Sequence, residues 1–161
     1  MIPVIIDTRE QTPWSFDPSQ VDATIGTLRT GDYALAGDDG FTIERKTLDD
    51  FLSTVSSGWE RFTRELERAR ERMPFMPILV EASLSDCCFR ESWDVNAETP
   101  AIEAPNHRHF NLSPGFVMRR VAECAMLGGA VMWCENADYA CAVATVLLRE
   151  RWKQIDGSSD K

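Results

Sequence analysis

The sequence predicts a single α/β domain built on a mixed sheet. Short apolar runs at residues 4–6 and 76–80 read as buried strands. Residues 32–35 and 41–46 flank a dense turn signal, Gly37-Asp38-Asp39-Gly40, as the two arms of an antiparallel hairpin would. Beyond residue 47, helical patterns alternate with strands, which calls for parallel crossovers and helices on both sheet faces.

Taken in order, the first strand is Val4-Ile5-Ile6, closed by Asp7. Residues 8–30 hold Pro13, Pro18 and Gly26 and are expected to be loop with at most one short helix. The hairpin follows. Thr47 then caps a helix to about Val55, with Asp50 three residues on as the returning acid of a capping box. Ser56-Ser57-Gly58 breaks it. A second helix runs from about Trp59 to Met73 with an apolar stripe of Trp59, Phe62, Leu66, Ala69 and Met73, and Pro74 stops it. Met76 to Val80 is a buried strand ending at Glu81. Residues 85–112 are expected to be irregular, a length at which a loop is usually functional or mobile. Ser113-Pro114 opens a helix that ends at Gly128-Gly129; a last strand spans 130–134 and a last helix 137–155. Residues 156–161 are expected to be a disordered tail.

Composition bounds the function. At 161 residues, 43% of them hydrophobic, the chain can bury a core, and 27% charged residues is ordinary for a globular protein. No run approaches the roughly 18 apolar residues of a membrane span, so no membrane partner is expected. The N-terminus lacks the basic region of a signal peptide and reads as a strand. Cysteines at 87, 88, 124, 134 and 141 are odd in number and form no C-x-x-C pair, which argues for reduced, buried thiols over a disulfide framework or a zinc site with His107 and His109. The net charge of −9 runs against phosphate binding unless the cations are gathered on one face.

The chemistry-bearing residues cluster around the hairpin. Side chains alternate along a strand, so Glu44 and Lys46 share a face while Arg45 points the other way with Phe41 and Ile43. Asp32 lies on the paired arm and can sit beside Glu44; Asp7 ends a strand at the same edge. Carboxylates this close stay ionised together only around a cation, and hard oxygen donors suit Mg²⁺ or Mn²⁺. With Lys46 to position a water or neutralise a phosphorane, the reaction class is metal-assisted phosphodiester hydrolysis.

The ordered set Asp7-Thr8-Arg9-Glu10, Gly31-Asp32, Glu44-Arg45-Lys46 and Asp50 resembles the nuclease domain of the XPF family, structure-selective DNA endonucleases of the PD-(D/E)XK superfamily. The resemblance implies a restriction-endonuclease-like fold over residues 1–155 and Mg²⁺-dependent cutting of branched, flapped or forked DNA in repair, recombination or replication. It implies metal binding by Asp32, Glu44, the Arg45 backbone carbonyl and Asp7, with Asp7, Asp32, Glu44 and Lys46 as the catalytic set. Larger members add helix-hairpin-helix modules, for which 161 residues are expected to leave no room; a homodimer or partner subunit would then help grip the DNA. Such a compact form suits a bacterial or phage-encoded protein working at the nucleoid in the cytoplasm.

Other residues have two readings. Asp50 is either a site residue or simply the acid of the capping box. Arg9 and Glu10 are either a local ion pair or site residues, with Arg9 on a phosphate; Glu81 ends a strand near the same edge. Trp14 and Phe16 read as a hydrophobic plug more than as a stacking platform for a base, and Tyr33 reads as core. Arg61, Arg64, Arg68 and Arg72 form a ridge that is a candidate DNA track, against the reading of a solvated face laced with Glu60, Glu65, Glu67 and Glu71. Arg108, Arg119 and Arg120 form a second, smaller basic group. Ala140, Val143, Ala144, Leu147 and Leu148 of the last helix face the core or a second subunit. The competing function is a non-catalytic DNA-binding or scaffolding domain that needs a partner subunit.

Overall fold

A computed structural model describes residues 1–89 and 112–157. The elements are β1 (Ile2–Asp7), β2 (Val21–Gly26), β3 (Tyr33–Leu35), β4 (Thr42–Lys46), α1 (Leu48–Val55), α2 (Trp59–Arg70), β5 (Met76–Val80), α3 (Leu84–Phe89), α4 (Pro114–Met126), β6 (Gly129–Trp133) and α5 (Ala137–Asp156). The strands form one mixed sheet in the order β2-β1-β3-β4-β5-β6. β3 runs antiparallel to both β1 and β4, while the outer pairs β1–β2, β4–β5 and β5–β6 are parallel. This is the mixed α/β architecture the sequence predicts.

Two elements depart from expectation. β2 lies in the stretch read as loop. It is an edge strand with only Val21 buried, so it carries no alternating signal; parallel pairing to β1, not side-chain burial, holds it. α3 runs into the segment expected to be irregular, and its Cys87 and Cys88 are buried. Residues 90–111, including His107, Arg108 and His109, lie outside the described residues, as do 158–161. The last helix reaches Asp156 and is closed by Gly157 at φ 68°, a left-handed cap that only glycine adopts readily.

The sheet separates two cores. On one face Phe51, Val55, Phe62, Leu66, Ile78, Val80 and Val117 pack α1, α2 and α4 onto β5. On the other, Val4, Ile6, Tyr33, Ile43, Leu79, Ala144 and Leu148 pack α5 onto the central strands. β5 shows the rule most clearly, sending Ile78 and Val80 one way and Leu79 the other. Each large aliphatic or aromatic side chain buried in these cores contributes about 1.5–3 kcal/mol. Trp14 is the expected plug: it stacks on Tyr33 at 4.4 Å and its amide donates to the Tyr33 hydroxyl at 3.1 Å. All five cysteines are free thiols, four of them buried. Among the described residues no helix is long and apolar enough to cross a membrane.

The hairpin that carries the candidate site is fixed at both ends. At its tip, Asp38 accepts two bonds from the Arg151 guanidinium of α5, at 2.7 and 3.0 Å. At its base, Gly31 has φ 75°, and a Cβ there would stand 2.2 Å from Thr42 Oγ1. Both the left-handed backbone and the close approach of Thr42 therefore require glycine before Asp32. Gly31→Ala should cost at least roughly 1–3 kcal/mol from the backbone alone. Urea denaturation of the purified variant measures this, and an unchanged midpoint would refute it.

Candidate active site

The strands bring the predicted residues to one face. Ile2, Val4 and Ile6 of β1 face α5, so Asp7 points to the opposite side. Tyr33 and Leu35 likewise leave Asp32 there, and Ile43 and Arg45 leave Glu44 and Lys46 there. The Asp7 amide donates to the Asp32 carbonyl at 2.8 Å, which locks the end of β1 to the start of β3. α2 lies over this face, with the Lys46 ammonium 5.6 Å from the Phe62 ring.

Asp32 accepts the Arg45 amide at 2.8 Å through Oδ2, and Glu44 accepts Lys46 Nζ at 2.5 Å through Oε1. Asp32 Oδ1 and Glu44 Oε2 receive no hydrogen bond from the described residues. Because the N–H and C=O of one strand residue point to the same neighbour, the Arg45 carbonyl is aimed at the edge where Asp32 sits.

Electrostatics sets the protonation of this cluster. Burial and the nearby Glu44 charge raise Asp32 from 3.8 to about 7. Burial also raises Glu44, against the pull of Lys46. Burial alone would lower Lys46, but Glu44 and Asp32 outweigh it and hold the ammonium above its ordinary value, so it is charged at neutral pH. A third acid, Glu65 of α2, is half-buried, and its charge acts on Glu44, Lys46 and Arg9. Nothing in the sequence singles it out from the other glutamates of that helix; only the packing of α2 does.

Asp7 is fully buried and already engaged. Its Oδ1 accepts the Arg9 amide at 2.9 Å and Arg9 Nε at 2.5 Å, and its Oδ2 accepts the Leu28 amide at 2.6 Å. Burial would raise its pKa, but these bonds lower it. Arg9 is thereby held with its side chain 61% exposed, close enough for the Asp32 charge to act on it. Asp50 faces the helix cap: its amide donates to Thr47 Oγ1 at 3.2 Å, and the Thr47 hydroxyl donates to its carboxylate at 2.8 Å.

The opposite face of β4 carries a second ionic centre. Arg45 Nε donates to Glu81 Oε1 at 2.7 Å, and its Nη1 donates to Glu10 at 3.1 Å and to the Thr12 carbonyl. Trp14 Nε1 donates to the same Glu81 oxygen at 2.6 Å. Glu10 and Glu81 therefore hold Arg45, and through it the loop before β2, on the face away from Asp32 and Glu44. The expected ridge is exposed at Arg61, Arg64, Arg68 and Arg72. Arg120 stacks at 4.3 Å over Trp59 and donates to Glu123 at 2.6 Å and to the Val55 carbonyl at 3.1 Å. It ties α4 to α1 and α2 and is no free basic contact.

Fold and site together define a restriction-endonuclease-like domain with one buried carboxylate, one half-buried carboxylate and one lysine on a hairpin. Comparison with known proteins agrees. The ERCC4 domain family matches residues 6–147, and the chain belongs to this family of nuclease-type domains. Two similar solved structures are of XPF from Aeropyrum pernix. One is 23% identical with a TM-score of 0.60; the other, in complex with DNA, is 24% identical with a TM-score of 0.62. Each match covers 96% of this chain and 67% or 66% of the other, so the chain spans about two thirds of their length. No curated protein matches the chain.

Two tests follow from the charges. The stability that Asp32 contributes is full below about pH 3.8 and is lost as pH rises through about 7. In chelator at pH 8, Asp32→Asn should therefore be more stable than the parent by on the order of a few kcal/mol. The gap should shrink at pH 5.5. Denaturation curves at the two pH values decide this, and a variant less stable than the parent at pH 8 contradicts it. On the other face, Glu81→Ala strips the main partner from a buried guanidinium and should cost about 3 kcal/mol. A midpoint within error of the parent's would count against the Arg45 network as a structural tie.

Proposed function

We propose that this domain is a metal-dependent DNA endonuclease, hydrolysing phosphodiester bonds in branched, flapped or forked DNA during repair, recombination or replication. One observation carries the reading. Glu44, buried, and Asp32, half-buried, lie on one face and each keep an oxygen that receives no hydrogen bond from the described residues, beside a lysine that stays charged. Like charges so placed, in a site where one acid is raised to about 7, are relieved by a cation. Their hard oxygens fit Mg²⁺ or Mn²⁺. Asp32, Glu44 and the Arg45 carbonyl would hold it.

Bound there, the ion would supply an activated water and neutralise charge on the phosphoryl oxygen. Lys46, protonated by its carboxylate neighbours, serves as an electrostatic group on the phosphorane and as a donor that orients water, not as a base. Asp7 acts through Arg9, holding the exposed guanidinium where a phosphate of the cut strand would pass. That one of the related XPF structures is a complex with DNA supports DNA as the substrate. A homodimer or partner subunit is part of the proposal. It is supported by Met118 and Met126 on α4, Met132 on the edge strand β6, and Tyr139 and Val146 on α5, all exposed apolar side chains. Reduced thiols suit a cytoplasmic, nucleoid-associated setting.

The test is a cleavage panel of flaps, forks and junctions with Mg²⁺ and with Mn²⁺. Cutting should stop in chelator. Asp32→Ala and Lys46→Ala should each lose at least about a hundredfold in rate while keeping the far-UV spectrum of the parent. DNA left intact under both metals would favour the non-catalytic, scaffolding role. Activity that survives both substitutions would remove these residues from the reaction.

A further inference from the structure

Along the catalytic face, next to Glu44, a cleft of about 290 Å³ opens between the hairpin and α2. Its floor includes Ala34 and Thr42. Thr42 is the residue before Glu44 on the same side of β4, about 6–7 Å away along the strand. α2 runs past both places: Phe62 lies against Lys46, Glu65 acts on Glu44, and Arg68, with Arg72 two residues past the helix end, walls the cleft. The opposite wall is Arg29, three residues after the end of β2. Its neighbour Leu28 is tied to Asp7 by the 2.6 Å amide bond, so the cation rides on the backbone that frames the site.

The charges of this cleft are unevenly committed. Arg29 and Arg68 have no ion-pair or hydrogen-bond partner among the described residues. Among the described residues Arg72 pairs only with Asp39, at 3.8 Å, and that carboxylate is 88% exposed. Asp38, the other hairpin acid, is held by Arg151. Glu71 also lines the cleft. Phe41 and Met73 add an apolar wall. The volume sits at the lower end of ligand clefts, about 300–1,000 Å³, and takes a small anionic group with an apolar edge rather than a double helix.

Resting on the reading of this domain as a DNA-processing one, we infer that the cleft is a strand subsite: Arg29, Arg68 and Arg72 take the phosphate of one unpaired nucleotide next to the scissile bond, and its sugar lies against Phe41 and Met73. The ridge of arginines on α2 and just past its end is then divided. Arg68 and Arg72 grip the strand with Arg29, a residue the ridge does not contain, while Arg61 and Arg64 lie outside the cleft. Asp39 is a competing anion that the phosphate displaces from Arg72.

The probe is a fluorescein-labelled oligo-dT strand, with a blunt duplex of equal length, bound to the whole protein in chelator and followed by polarisation across a salt series. Arg29→Gln and Arg68→Gln should each raise Kd for the single strand at least fivefold. Each should also reduce the magnitude of the log–log salt slope by about 0.7, the value for one lost phosphate contact on a single strand. Asp39→Asn should lower Kd at least twofold. Arg149→Gln, the same charge change at a half-buried position of α5 outside the cleft, should change it less than twofold. The proposal is overturned by an absence of single-strand binding, by Arg149→Gln costing as much as the cleft variants, or by equal losses on the blunt duplex. Metal-free binding does not require cutting. A cleft-dependent Kd in a protein that leaves every DNA intact removes the nuclease reading alone, and cutting that ignores both cleft substitutions, with an unchanged Kd, removes the subsite alone.

Discussion

The whole arrangement depends on burying charge on both faces of one central strand. β4 has five residues, and its last three are Glu44, Arg45 and Lys46. The pleat sends Glu44 and Lys46 to the α2 side and Arg45 to the α5 side. Each face must then be neutralised separately. On the α5 side the chain does it with its own acids, Glu10 and Glu81, reinforced by Trp14. On the α2 side Lys46 and the exposed Arg9 face Asp7, Asp32, Glu44 and Glu65, so acid outnumbers base and the pKa values of Asp32 and Glu44 are both raised. The first face is neutralised by the chain's own pairs; on the second, burial and like charge raise both Asp32 and Glu44.

Net charge is a poor guide to such a domain. The total is −9, yet much of the acid is spent on particular guanidinium groups: Asp7 on Arg9, Asp38 on Arg151, Glu81 on Arg45. Coulomb forces fall off within about a Debye length of 8 Å at physiological salt, so a passing strand feels the local face and not the sum. Around the hairpin that face contains Arg9, Arg29, Arg68 and Arg72.

Much of this was legible in the residues. The strand period places Glu44 and Lys46 together and Arg45 apart, and capping chemistry places Thr47 and Asp50 at the start of α1. The limits of that reading are physical. β2 is held by backbone pairing at a sheet edge, and its side chains are mostly solvated, so no hydrophobic pattern marks it. The sequence brings Asp7 to the same edge, but only the folded chain shows the Leu28 amide, 21 residues on, donating to its carboxylate. Glu10 and Glu81 appear near one edge in sequence, but the twist of the chain turns both onto Arg45. Glu65 and Arg29 matter through the packing of a helix and a loop over the sheet, which no local spacing encodes.

The ion pair between Asp38 and Arg151 bears on how the domain comes into being. Those two residues are 113 positions apart. During synthesis the hairpin emerges early and α5 late, so the loop that presents Asp32 and Glu44 waits for a helix made long after it. Contacts of such long range are slow to form, because the entropy of closing the intervening chain precedes any gain from the contact. A ribosome-bound fragment ending before α5 would carry every residue of the GD and ERK motifs and still lack the clasp that holds their hairpin shut. In this domain the clasp on the hairpin forms only after α5 has been made.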